Sequence, residues 1–172
     1  MGGAIALEVA LTRPQQLDGL VLVGTGARLN VAPALLTGLQ NAFEATTAQI
    51  ARAAYGPATP DTVVADFAAQ LQDASPAVVY NDFLACSKYD VSSQLAEVTC
   101  PALILCGADD RLTPPKLSAY LHEHLPASTF HMVPAAGHMV MLEQEELVMA
   151  HLSAFLRADS AAHPHPQPTT EE

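Results

Sequence analysis

Positive charge is scarce in this sequence: 7 Lys and Arg among 172 residues stand against 18 Asp and Glu, for a formal net charge of −11. A nucleic-acid or anionic-membrane surface needs clustered cations, and these are scattered, so neither partner is expected. Long apolar runs are missing too. Nowhere do about 18 apolar residues follow one another, which argues against a membrane-spanning helix. The N-terminus lacks the basic start and small-residue cleavage site of a signal peptide, so a cytoplasmic location is expected. Cysteine is sparse: Cys86, Cys100 and Cys106 are odd in number and form no C-x-x-C pair. No metal or redox role follows from them, and they read as buried free thiols in a reducing compartment. No internal repeat is visible. What remains is a globular composition, 50% hydrophobic and 15% charged, of a length that suits one domain with a small insertion.

The chain opens without a lead-in. Met1-Gly2-Gly3-Ala4-Ile5-Ala6-Leu7-Glu8-Val9-Ala10-Leu11 reads as a helix that is apolar nearly all round and needs cover on several sides. Pro14 stops it, and residues 17–24 (LDGLVLVG) form a short, fully buried strand of the parallel-sheet type. Helix, turn and strand are half of a βαβ unit whose first strand is absent from the sequence. From about Leu29 to Leu95 the pattern turns all-helical. Leu36, Leu39, Phe43 and Ile50 share a helical face, and Thr59-Pro60-Asp61 and Ser75-Pro76 offer capping hydroxyls before prolines. The α/β rhythm then returns with a strand over residues 102–106 (ALILC), a helix opened by Pro114 and Pro115, and a third strand over 129–133. A last helix over about 142–156 would turn Leu142, Met149, Leu152 and Phe155 towards the sheet, and from Ala158 the polar, proline-rich tail reads as disordered.

Two loops carry ionisable groups at the carboxyl ends of strands, the edge where open α/β sheets bind ligands. Gly107-Ala108-Asp109-Asp110-Arg111-Leu112-Thr113-Pro114 succeeds the second strand, and Ala136-Gly137-His138-Met139 the third. An Asp and a His brought together there can act as base and orienter, the carboxylate fixing the imidazole tautomer. A nucleophile in the right context is not evident: Ser87, Ser92, Ser93 and Ser118 lie in or beside helices.

Met1-Gly2-Gly3 before a small-residue helix resembles the second half of a nucleophile elbow, G-x-S-x-G, in the α/β-hydrolase fold. In its common form G-H-S-M-G-G, Met1 would be the residue immediately after the serine. The Gly-x-x-Asp of residues 107–110, with Thr113-Pro114, resembles the acid loop of that family and assigns the acid to Asp110. Ala136-Gly137-His138 with Leu142-Glu143 resembles its histidine loop and assigns the base to His138. The resemblance spans 1–156 and implies the C-terminal portion of that fold, about three parallel strands with flanking helices. Its divisions would be 1–28 behind the elbow, a helical cap over 29–95, a core over 96–157 with both loops, and the tail over 158–172. It also implies hydrolysis of small carboxylic esters or lactones with no metal or organic cofactor, and an oxyanion-hole N–H from Met1 in an intact parent.

The departures are as informative. The serine, the strands before it and the loop giving the other oxyanion donor are absent, so the chain as it stands is expected to be inactive and poorly stable. A gene boundary misplaced at the elbow methionine would account for this. Gln144-Glu145-Glu146 also stands where relatives often place a proline. Other chemistries of the same scaffold (dehalogenase, lyase, perhydrolase) stay open, as does a non-catalytic remnant binding an apolar ligand or a partner. Asp109 reads as a solvated neighbour and Glu143 as a support of the histidine loop. His122 and His124 point to different helix faces, His163 and His165 read as solvated spacers, and Arg28 as a surface residue.

Overall fold

The apolar runs that punctuate the sequence become the strands of one sheet. In the computed structural model, which describes residues 1–162, β1 (Leu20–Val23), β2 (Ala102–Gly107) and β3 (Ser128–Val133) lie parallel in the order β1-β2-β3. The tail residues 163–172, with His163 and His165, lie outside the described residues. Before β1 comes α1 (Gly2–Thr12), ended as expected ahead of Pro14. Between β1 and β2 run α2 (Pro33–Asn41), α3 (Phe43–Ala54), α4 (Asp61–Asp73) and α5 (Pro76–Lys88), and no strand interrupts them. The single helix α6 (Pro115–His124) joins β2 to β3, and α7 (Val140–Glu143) and α8 (Glu145–Ala162) close the described chain.

β2 is buried along its whole length because both its faces are covered. Ala102 and Ile104 pack with Leu7 and Ala10 of α1, Leu22 of β1 and Leu121 of α6. Leu103 and Leu105 pack on the other face with Val133, Val140 and Val148, backed by Leu152 and Phe155. The helical segment has cores of its own, Leu39, Ile50 and Val79 in one and Ala51, Ala54, Tyr55 and Val64 in another. Its two ends are pinned together: Val91 N–H donates to Ala27 O at 2.9 Å, and Arg28 bridges to Asp90 at 3.7 Å. Arg28 is therefore a surface residue.

Several expectations need correction. β1 is not fully buried: Val21 is 37% exposed, since β1 pairs with β2 alone and no described element covers that side. The first helix of the insertion breaks at Ala42 (φ −148°), so Leu39 and Phe43 meet across a corner and not along one helix. Neither Thr59 nor Ser75 makes a side-chain cap; the Thr59 hydroxyl donates to Glu143 instead, at 2.6 Å. The last helix is interrupted at Gln144 (φ −140°), which rotates the phase of α8 relative to α7. Leu142 and Met149 consequently face outward, at 63% and 50% exposure, while Val140 and Val148 take the inward positions. α8 also continues past Ala158 to Ala162, beyond the point where disorder was expected. Of the cysteines, which are free, only Cys106 is buried. No helix among the described residues is long and apolar enough to cross a membrane.

Candidate active site

Three parallel strands bring three loops to one edge of the sheet, and the ionisable groups singled out in the sequence meet there. Main-chain bonds set the acid loop against the histidine loop: Ala108 N–H donates to Val133 O and Asp109 N–H to Ala136 O, both at 2.9 Å. Asp110 then turns inward and is 3% exposed. Its Oδ1 accepts the N–H groups of Leu112 and Thr113 at 2.9 Å each, an Asx-type turn that satisfies the loop backbone. Its Oδ2 accepts the Thr113 hydroxyl at 2.8 Å and lies 2.9 Å from His138 Nδ1. Asp109, by contrast, is exposed.

Burial alone would push the Asp110 carboxyl upward. The hydrogen bond and charge of His138, with the N–H and hydroxyl of Thr113, outweigh that and hold it below the ordinary carboxylate value. An ionised Asp110 in turn selects the Nδ1–H tautomer of His138 and leaves Nε2 free to accept a proton. The pair needs close quarters. Gly24, at the end of β1, sits at φ +53°, and a Cβ there would stand 3.0 Å from His138 Nδ1 and 3.3 Å from Asp110 Oδ2.

His138 opens onto a cavity of about 410 Å³. Its floor is Met1, Gly24 and Thr25; its walls include Leu29, Val31, Leu35, Phe83 and Cys86 from the helical segment and Arg111 to Thr113 from the acid loop. Met1 begins α1, its carbonyl accepting from Ala4 and Ile5 at 2.9 and 3.2 Å. The amino end of α1 and the imidazole thus border one space. Thr25 packs tightly behind it: a Cβ on Gly3 would stand 2.4 Å from Thr25 Oγ1, so only glycine fits there. That hydroxyl is buried and has no hydrogen-bond partner among the described residues.

Among the described residues, no serine lines the cavity. Ser118 is buried, its hydroxyl donating to Thr25 O at 3.3 Å, and Ser87 donates to Leu84 O at 2.7 Å. Burial also pushes the Cys106 thiol up, which keeps it a poor nucleophile. Glu143 accepts the Gly137 N–H at 2.7 Å, the support of the histidine loop read from sequence. His122 and His124 bond to Ser128 Oγ and Tyr120 O, and no group of three His, Cys, Asp or Glu among the described residues could hold a metal ion. Gly24, Thr25 and Arg111 escaped the sequence reading, since a glycine, a threonine and an arginine carry no motif there.

Known proteins agree with this architecture. The family model described as serine aminopeptidase, S33, matches residues 1–145. A putative carbamate hydrolase, RutD, of Caulobacter sp. (strain K31) is 29% identical over 171 residues, 93% of this chain and 64% of the relative. The pimeloyl-[acyl-carrier protein] methyl ester esterase of Neisseria meningitidis (strain FAM18) is 26% identical over 167 residues, 87% of this chain and 64% of that one. Among solved structures, a thermophilic esterase superposes with a TM-score of 0.82 at 31% identity, covering 91% of this chain and 63% of the esterase. The chain spans about 63 to 64% of the length of such relatives. A family match over most of the chain, a three-stranded parallel sheet and a buried Asp facing a His at its carboxyl edge have one common reading: the chain belongs to the serine aminopeptidase (S33) family of α/β-hydrolases.

Proposed function

We propose that Asp110 and His138 are the acid and base of a Ser-His-Asp site that hydrolyses small carboxylic esters or lactones, and that its nucleophile is a serine preceding Met1 in a longer chain. The observation that carries this is the 2.9 Å contact between a buried carboxylate and an imidazole that borders the same cavity as Met1. His138 Nε2 takes the serine proton as the hydroxyl attacks the acyl carbon, while Asp110 stabilises the imidazolium. The Met1 N–H, at the amino end of α1, is one donor to the oxyanion. Protonated His138 then gives its proton to the leaving alcohol, and water resolves the acyl-enzyme by the same route in reverse. The helical segment over 29–95 is the cap of the pocket, and its apolar wall suits a small apolar acyl or alcohol group. Relatives named as an ester esterase and a putative carbamate hydrolase support this class of acyl transfer.

Alone, the 172-residue chain should show little or no such activity. Removing the nucleophile of one measured triad lowered the rate by about 10⁶-fold. The test is to extend the chain by the codons in frame before Met1 and assay both forms on p-nitrophenyl esters. Turnover should require the extension and be abolished by His138→Ala. Hydrolysis by the 172-residue chain that survives His138→Ala would overturn the proposal. A melting temperature raised by a small apolar ester, without turnover in either form, would favour a binding remnant instead.

A further inference from the structure

The helical segment and both site loops meet at one place, the C-terminal end of α3. A helix end leaves carbonyls without partners, and here the two loops supply them. Ala54 O accepts the N–H groups of His138 and Met139 at 2.8 and 3.1 Å. Arg52 O accepts Arg111 Nη2, from the acid loop, at 2.7 Å. The Glu143 carboxylate closes the arrangement. Its Oε1 accepts Gly56 N–H at 2.7 Å and the Thr59 hydroxyl at 2.6 Å, and its Oε2 accepts Gly137 N–H at 2.7 Å. One charged group therefore ties the residue before His138 to the turn after α3, through three charge-assisted bonds. The two backbones nearly touch: a Cβ on Gly137 would stand 2.5 Å from Gly56 N.

We propose that Glu143 is a positioning residue: by clamping the histidine loop to the end of α3, it keeps the His138 imidazole on Asp110 and transmits displacement of α3 to it. This rests on the acid–base reading of His138 given above. Without the carboxylate, Gly137 N–H loses its acceptor, the loop gains freedom, and the Nδ1–H bond to Asp110 opens more often. The fold need not suffer, because the sheet and its two faces do not involve Glu143.

Proton NMR of the 172-residue chain provides the test through the downfield His138 Nδ1–H resonance and its solvent exchange. Glu143→Ala should erase that resonance while thermal unfolding stays cooperative. Glu143→Gln should weaken it, since an amide must turn a donor towards at least one of the three N–H and O–H groups. Should both variants fail to fold, Thr59→Val decides. Loss of that one bond to a charged group should speed exchange of the His138 proton by about tenfold. A folded Glu143 variant, or Thr59→Val, with resonance and exchange unchanged overturns the positioning role alone. Absence of the resonance from the unsubstituted chain overturns the acid–base reading, and this role with it.

Discussion

Asp110 stays ionised while almost wholly buried, and pH should expose how. Its folded value is lowered from the ordinary 3.8, so its contribution to stability is full above the unfolded value and is lost as pH falls through the lowered one. Urea midpoints measured between about pH 2 and 5 should therefore fall less steeply with acid in Asp110→Asn than in the unsubstituted chain. Gly24 offers a second test. Alanine there must adopt φ +53° and push a methyl group against the imidazole. A loss of about 1–3 kcal/mol is expected in urea unfolding, with a displaced His138 resonance. Asp110 and His138 were both legible because each comes after a strand within a recognisable loop motif. Gly24 was not, because its constraint comes from residues 86 and more positions away that only the fold brings near.

Element by element, existence and order could be read from the sequence, whereas phase could not. Prolines at the starts of α2, α5 and α6 mark boundaries that local chemistry imposes. The breaks at Ala42 and Gln144 carry no glycine or proline, and they arise where each helix must turn to stay on its core. Reading through Gln144 misplaced Leu142 and Met149, although Leu152 and Phe155 do face the sheet. Truncation separates the two phases. Val148→Ala should lower stability by roughly 1–3 kcal/mol, as deletion of buried methyl groups does. Leu142→Ala, at 63% exposure, should change it by less than about 0.5 kcal/mol. Chemical unfolding of the two variants measures both. An inward Leu142 would give the opposite order.

At the scale of the whole molecule, one flank is unfinished. β1 pairs on one side only, and Ile5, Val9 and Val21 are 56%, 37% and 37% exposed. An open apolar edge invites another strand, so the 172-residue chain should self-associate in size-exclusion chromatography with light scattering. Ile5→Lys with Val21→Lys should shift it towards monomer; an unchanged mass would show that this flank is not the contact. Half of a βαβ unit in the sequence already pointed to an open edge at β1, but which side chains it exposes is a property of the assembled sheet. The opposite flank of the site has a different consequence. On the α3 side, the bonds to the two loops come from Arg52 O, Ala54 O, Tyr55 O and Gly56 N–H, all main chain, and only Thr59 adds a side chain. In hydrogen bonding the loops thus follow the path of a helix end, while Leu112 and Met139 also pack on the side chains around Ala51 and Tyr55. Away from Gly56 and that contact, such a joint tolerates sequence drift in the insertion as long as the backbone arrives in the same place. Pocket walls drawn from the insertion can then change shape while Asp110 and His138 stay put, which makes the insertion an interchangeable part.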